Sequence, residues 1–233
     1  MVIDVHTHIL PQIDDGSDCV ETSVKMLQIM AEHGIEAACA TPHFYREKMS
    51  IDAFLARRDA AWRKLQSSGT PLPIPVRLGA EVAYYSGISE EKELHRLCME
   101  GTHTLLLEMP YSEWNSFQID EVMALAWDCG FEVVLAHPER FVLLRNNTRW
   151  IEKLSALPMQ VNAGALCQWR TRRGALRILE NTAKPLLGSD CHNLKKRRPN
   201  LWEGRNVVER KLGADFLREM DTNAQTLLLP QLP

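Results

Sequence analysis

Short apolar runs rich in β-branched residues alternate with longer stretches of helical periodicity from one end of the 233-residue chain to the other. This alternation constrains the fold most, because successive strands each followed by a helix pair in parallel. The runs fall at residues 2–5, 35–41, 76–80, 104–108, 133–136, 159–161 and 185–187, predicting seven strands. The last opens on Pro185, where a strand start tolerates the missing N–H. A first helix is expected behind Asp18 as N-cap and Glu21 as its capping-box partner, with an apolar stripe through Val20, Val24, Leu27 and Met30 and a stop at Gly34. Further helices are expected at 51–66 (after Ser50, closed by Gly69), 90–99, 119–129 (ending at Gly130), 149–157 and 174–182, with one or two more at 205–229.

Seven such units leave two architectures, a closed barrel or an open doubly wound sheet. No Gly-rich phosphate loop follows the first run, which disfavours the open sheet, so a closed seven-stranded α/β barrel of the TIM type, a single domain over 1–233, is the expectation. A composition of 45% hydrophobic and 24% charged residues suits a soluble enzyme, and a net charge of −3 gives no pull toward nucleic acid. Basic runs at 170–173 and 195–198 are local, and such runs usually form solvated faces. No basic leader precedes an apolar stretch and no run is long enough to span a bilayer, so a cytoplasmic protein without membrane insertion is expected. The six cysteines form no Cys-x-x-Cys pair, which argues against both a disulfide framework and a thiolate zinc site.

The chemistry lies at the ends of the strands. His6 and His8 follow the first run, His43 the second, Glu81 and Glu108 close the third and fourth, His137 follows the fifth, and Asp190 with His192 follow the seventh. Asp14 sits in the loop behind His8. In a parallel barrel these ends meet at one mouth. His6-x-His8 alone is a weak motif among eight histidines, and a lone His or Glu at a strand end is commonly structural. Together the residues are different. Several carboxylates buried beside five imidazoles would cost several kcal/mol per uncompensated charge, which bound cations remove.

The pieces Asp4-Val5-His6-Thr7-His8, Thr41-Pro42-His43, Gly79-Ala80-Glu81, Leu107-Glu108, Ala136-His137-Pro138-Glu139-Arg140 and Gly188-Ser189-Asp190-Cys191-His192 lie in this order across residues 4–192. The set resembles the PHP superfamily, named for polymerase and histidinol phosphatase domains. Asp14-Asp15-Gly16, the run 137–140 and the stretch 193–199 are similar to its metal-dependent tyrosine phosphatases from capsule and exopolysaccharide loci, the CpsB type. The resemblance implies a distorted seven-stranded βα barrel with three divalent metals, manganese first, with iron or zinc as alternatives. It puts one metal on His6, His8, Glu81 and Asp190, a second on Glu81, Glu108 and His137, and a third on Asp14, His43 and His192. Arg140 and Arg198 are implied as phosphate ligands, with Asp14 counted beside them as catalytic. The loop before Pro199 looks one residue longer than the family pattern, which leaves Arg197 as the alternative to Arg198. The implied substrate is a phosphotyrosine protein, an autophosphorylated bacterial tyrosine kinase, in capsule or exopolysaccharide synthesis.

Paired metals lower the pKa of a shared water, so hydroxide is the expected nucleophile and no phosphoenzyme is needed. Phe44, Tyr45, Tyr84, Tyr85, Tyr111 and Trp114 offer either an aromatic platform at the mouth or plain packing. Three other readings stand beside this one. Cys167 and Arg173 fit the Cys-x5-Arg spacing of cysteine phosphatases, but the bulky Gln168-Trp169-Arg170-Thr171-Arg172 interior suits a phosphate-wrapping loop poorly. A superfamily enzyme acting on a small molecule such as histidinol phosphate, or on nucleic acid, would use nearly the same site. A metal module without turnover would be marked by lost ligands, and none is lost.

Overall fold

The computed structural model describes residues 1–69, 71–142, 144 and 147–229. Residues 70, 143, 145, 146 and 230–233 of the expected domain lie outside them. Strands β1 (Ile3–Thr7), β2 (Ala37–Ala40) and β4 (Val76–Leu78) form a three-stranded parallel sheet in the order β1-β2-β4. A six-stranded parallel sheet holds β3 (His43–Phe44), β5 (Glu81–Ala83), β6 (Thr104–Glu108), β7 (Glu132–Ala136), β8 (Met159–Asn162) and β9 (Pro185–Gly188), in that order.

Among the described residues nine short strands stand where seven are expected, because two strands break off and resume beyond the end of the expected run. The strand of the run 35–41 stops before Pro42, which has no N–H for a ladder, and resumes past it as β3. The run 76–80 is cut opposite that break and continues as β5. Backbone bonds from Gly79 to the Ala40 carbonyl (2.9 Å) and from Glu81 to the Pro42 carbonyl (3.0 Å) carry the chains across together. The register then pairs His43 with Glu81. At the other seam a single bridge joins Thr7 to Cys191, with Asp190 N donating to the His6 carbonyl (2.8 Å) and Ser189 N donating to Asp4 Oδ1 (2.8 Å). The ladders are therefore two parallel sheets, with no closed ladder of seven strands among the described residues.

Both faces of these strands are covered, which explains why they read as unbroken apolar runs. Ile3, Val5, Ala37, Cys39, Leu106, Val134 and Leu186 form one cluster, closed by Ala224, Leu227 and Leu228 from α8 (Ala214–Leu228). Their neighbours Ala38, Leu105, Leu107, Val133, Leu135, Val161 and Leu187 join the larger core under the helices.

Helix α1 (Val20–Glu32) is capped by Cys19, not Asp18, and no Glu21 capping box forms. The buried Ser23 hydroxyl bonds Ser17 Oγ at 2.8 Å, turning Ser23, Met26, Leu27 and Met30 inward and leaving Val20 and Val24 half-buried. Helix α2 (Ile51–Gln66) follows its Ser50 cap as the sequence suggests. The polar stretch 90–99 is not one helix but two 3-10 turns, Ile88–Glu90 and Leu94–Leu97. It has too few apolar residues for an α-helical face, and only Ile88, Leu94, Leu97, Cys98 and Met99 are buried. Helix α3 (Ser116–Trp127) starts three residues earlier than expected, on a capping box of Asn115 and Gln118. Helix α4 (Asn147–Lys153) leads into β8. The expected helix 174–182 is longer and preceded by another, as α5 (Ala163–Cys167) and α6 (Trp169–Asn181). Arg172 makes the junction by donating to the Leu166 (2.6 Å) and Cys167 (2.9 Å) carbonyls at the end of α5. The tail is two helices, α7 (Leu201–Leu212) and α8. No described helix is long and apolar enough to cross a membrane.

Candidate metal centre

Strand ends bring eight of the nine expected ligands into one cluster. His6 and His8 flank the end of β1, and their Nε2 atoms lie 3.1 Å apart. Each is 3.3 Å from Glu81 Oε2, and Asp190 Oδ1 stands 3.7 and 3.5 Å from them. Ligands of one four- to six-coordinate ion with bonds near 2.1 Å lie about 3.0–3.4 Å apart, so the separations among His6, His8 and Glu81 fit a shared ion, and those to Asp190 are slightly longer. On the other side of Glu81, His137 Nε2 lies 2.8 Å from Oε1 and 3.6 Å from Glu108 Oε1, while His43 Nδ1 is 2.8 Å from Oε2. His43, Glu81 and Glu108 offer one group of converging ligand atoms; His6, His8 and Glu81 offer another.

The third group is His8, His43 and His192 with Asp15, not Asp14. Asp15 Oδ1 is 3.4 Å from both His43 Nε2 and His192 Nε2. Asp14 faces the other way: its Oδ2 accepts from His8 Nδ1 (2.8 Å) and His43 N (3.0 Å), and its Oδ1 from Gly16 N (2.9 Å). The tight turn is the cause. A Cβ on Gly16 would lie 2.3 Å from the His8 carbonyl oxygen, so the chain doubles back on itself and turns adjacent carboxylates to opposite sides. Gly188 is equally confined, since its Cβ would sit 2.8 Å from that of His6.

Buried atoms without hydrogen-bond partners mark the same place. Glu81 Oε2, His43 Nδ1 and His192 Nε2 are all unsatisfied; the 2.8 Å approach of the first two lacks the angles of a hydrogen bond. Such orphans are costly in a dry interior, and a cation fits each of them. His137 and Asp190 also hold left-handed backbone conformations, φ 32° and 53°, which residues other than glycine adopt only when their surroundings enforce it.

The chain was compared with known proteins. The sequence profile described as "Capsular polysaccharide synthesis, CpsB/CapC" matches residues 2–229. The chain belongs to the CpsB/CapC family. Tyrosine-protein phosphatase YwqE of Bacillus subtilis is 26% identical over 236 residues, covering 99% of this chain and 92% of that one. Tyrosine-protein phosphatase CpsB of Streptococcus pneumoniae is 25% identical, covering 99% and 100%. A crystal structure from work on those two, described as unique metal-dependent tyrosine phosphatases, superposes with TM-score 0.83 at 26% identity, covering 99% of this chain and 96% of that one. The lactonase Lmo2620 of Listeria monocytogenes, at 11% identity, TM-score 0.55 and coverage of 99% and 95%, shares the fold.

In this CpsB/CapC chain, among the described residues, the two arginines reaching the cluster are Arg140 and Arg197. Arg140 donates through Nη2 to Asp190 Oδ2, and Arg197 Nη2 to Asp190 Oδ1 at 2.6 Å. Arg198 turns away to Glu203 (2.6 Å) and the Pro199 carbonyl, because the turn beneath it sends successive side chains to opposite sides. Of the aromatic candidates, Phe44 and Trp114 are buried packing. Tyr84 is tied to Glu121, and Tyr85 is half-buried. Tyr45, 5.3 Å from the His43 ring, and Tyr111, exposed at 75% and 5.9 Å from Phe141, stand at the rim.

Electrostatics follow from crowding. Burial works against the imidazolium of His6, but Glu81 and Asp190 hold its pKa above the ordinary value. For His8 burial is likewise outweighed, by Asp14 and Glu81, to about 10. Burial and then Glu81 push Glu108 up to about 7, a second carboxylate that the first disfavours. Burial, His8 and Arg197 drop His192 to about 3, leaving it neutral and able to ligate. Burial raises the Cys167 thiol, the opposite of an activated nucleophile, and Arg172 closes the helix end where a phosphate loop would open.

Two residues that the sequence reading passed over orient this site. Gln160 Oε1 accepts from His6 Nδ1 (2.8 Å), leaving Nε2 free, and Gln160 Nε2 donates to Asn162 Oδ1 (2.8 Å). Asn162 Nδ2 donates in turn to Asp190 Oδ2 (2.8 Å). Their signal was present: alternate polar residues in an apolar strand point to one face.

Proposed function

We propose that this chain is a metal-dependent phosphatase that hydrolyses phosphotyrosine on a protein. The observation that carries the reading is the convergence of five imidazoles with Glu81, Glu108, Asp15 and Asp190, four of whose buried atoms, Glu81 Oε2, His43 Nδ1, His137 Nδ1 and His192 Nε2, have no hydrogen-bond partner. His6, His8, Glu81 and Asp190 would hold one ion, Glu81, Glu108 and His137 a second, and Asp15, His43 and His192 a third. Oxygen and imidazole donors without thiolate suit manganese, with iron or zinc as the alternatives. When bound, such ions lower the pKa of water and draw charge from phosphoryl oxygens.

The protein's own groups do the rest. Arg140 and Arg197 stand on either side of Asp190, with forks able to grip the non-bridging oxygens of a phosphate and fix it for in-line displacement. Asp14, Gln160 and the Asp190 carbonyl accept from Nδ1 of His8, His6 and His192, which aims each Nε2 inward to where a bound cation would take the place of a proton. Tyr45 and Tyr111 flank the entrance where an aromatic ester would lie.

The seam between Thr7 and Cys191 supports reading the two sheets as a heavily interrupted seven-stranded barrel, one domain throughout. An autophosphorylated bacterial tyrosine kinase in the cytoplasm, acting in capsule or exopolysaccharide synthesis, is the proposed partner. Purified protein loaded with manganese should hydrolyse p-nitrophenyl phosphate and a phosphotyrosine peptide, and a chelator should abolish both. Hydrolysis that survives chelation, or none with metal, would sink the reading.

A further inference from the structure

The basic run 195–198 forms a braced turn. Asn193 Oδ1 accepts from the backbone N–H of Lys195 (2.9 Å) and Arg197 (3.2 Å), and the Arg197 carbonyl accepts from His192 N (2.7 Å) and Asn193 N (3.1 Å). The brace fixes where consecutive cations point: Arg197 to Asp190, Arg198 to Glu203. Lys196 lines a cavity of about 290 Å³ together with Arg140, Arg197, Gln168 and Thr171. Among the described residues no carboxylate pairs with Lys196.

Residues that line the same cavity hold buried oxygens without partners. Glu139 is 5% exposed, and its Oε1 accepts from Asn162 N (3.1 Å) while its Oε2 has no partner. Asn200 Oδ1, also lining the cavity, is buried and unpartnered. A small phosphoester that fills only the arginine side would leave these acceptors and Lys196 unused. A peptide supplies both complements, main-chain N–H donors for the acceptors and a side-chain anion for the ammonium.

We infer that this cavity is a subsite for the peptide beside the phosphotyrosine, in which Lys196 selects an anionic side chain, a carboxylate or a second phosphate. The inference rests on the phosphatase reading above. Because Lys196 is exposed, its preference is modest and screened by salt.

The test uses full-length, metal-loaded protein and one phosphotyrosine peptide flanked on both sides by Glu, phosphoserine, Gln or Lys. Within each protein, kcat/KM for every peptide is divided by that for the Gln peptide, so any general loss of activity cancels. The wild type should favour Glu or phosphoserine by roughly three- to fivefold, and Lys196→Glu should reverse the order in favour of Lys. A larger gain with phosphoserine assigns the subsite to a phosphate; a larger gain with Glu assigns it to a carboxylate. Ratios near one in the wild type, or the same ratios in both proteins, overturn the subsite alone, provided the wild type hydrolyses p-nitrophenyl phosphate. Failure on that ester as well overturns the phosphatase reading and the subsite together.

Discussion

Arg197 Nη2 donates to Asp190 Oδ1 across 2.6 Å, tying a loop cation to a carboxylate of the cluster. Once a cation takes up the charge of Asp190, the guanidinium is free for a phosphate placed beside it. Removing one charge-assisted hydrogen bond costs about 1.5–3 kcal/mol, so Arg197→Ala should lower kcat/KM on a phosphotyrosine peptide by roughly 10- to 150-fold. Arg198→Ala, which loses contacts to Glu203, the Pro199 carbonyl and the Trp202 ring, should stay within about twofold. Steady-state rates of the two variants check this, and equal losses would contradict it.

Asp14 and Asp15 should separate in the same manner. Asp15→Ala deletes a proposed ligand and should remove one ion from the fully loaded protein. Asp14→Asn keeps the ion count at saturating metal but weakens affinity about 10- to 100-fold, because Asp14 orients His8 and holds the His43 backbone without being a ligand itself. Metal titrations with elemental analysis distinguish the two.

In the metal-free protein the His8 pKa is raised from 6.5 to about 10, with burial opposing and Asp14 and Glu81 prevailing. A raised folded pKa means stabilisation fully present below about pH 6.5 and lost as pH rises through about 10. Thermal melts of chelated protein should therefore fall progressively across that window. Asp14, depressed to about 2 by His8 against the cost of burial, adds stability above its ordinary 3.8 that disappears only as pH falls through about 2. A cation displaces the His8 proton, so adding manganese or zinc near pH 7.5 should acidify a weakly buffered solution. No proton release would contradict the ligand role of His8.

Cys167→Ser should retain wild-type activity, because the thiol is held protonated and no amide cradle surrounds it. Loss of turnover in that variant alone would revive a thiolate mechanism.

How much of this was legible depended on what sets each feature. Apolar runs marked where strands end, so His6, Glu108, His137 and Asp190 were placed by periodicity that buried sheets impose. The breaks at Pro42 and after Leu78 were missed because they depend on two strands bending together, a tertiary event with a weak local signal. Asp14 and Asp15 are chemically identical neighbours, and Arg197 and Arg198 are too. Only the turn at Gly16 and the brace on Asn193 decide which of each pair faces the cluster. Gln160 and Asn162 were overlooked for a simpler reason, since attention to charged residues passed over neutral amides that orient them.

The metal content of the purified protein tests the central claim most directly. Elemental analysis of wild-type protein after manganese loading and removal of excess should give about three divalent ions per chain, and Glu81→Gln, which touches both His6 and His137, should lose at least one of them. A wild-type chain that retains no ion under these conditions would contradict the account.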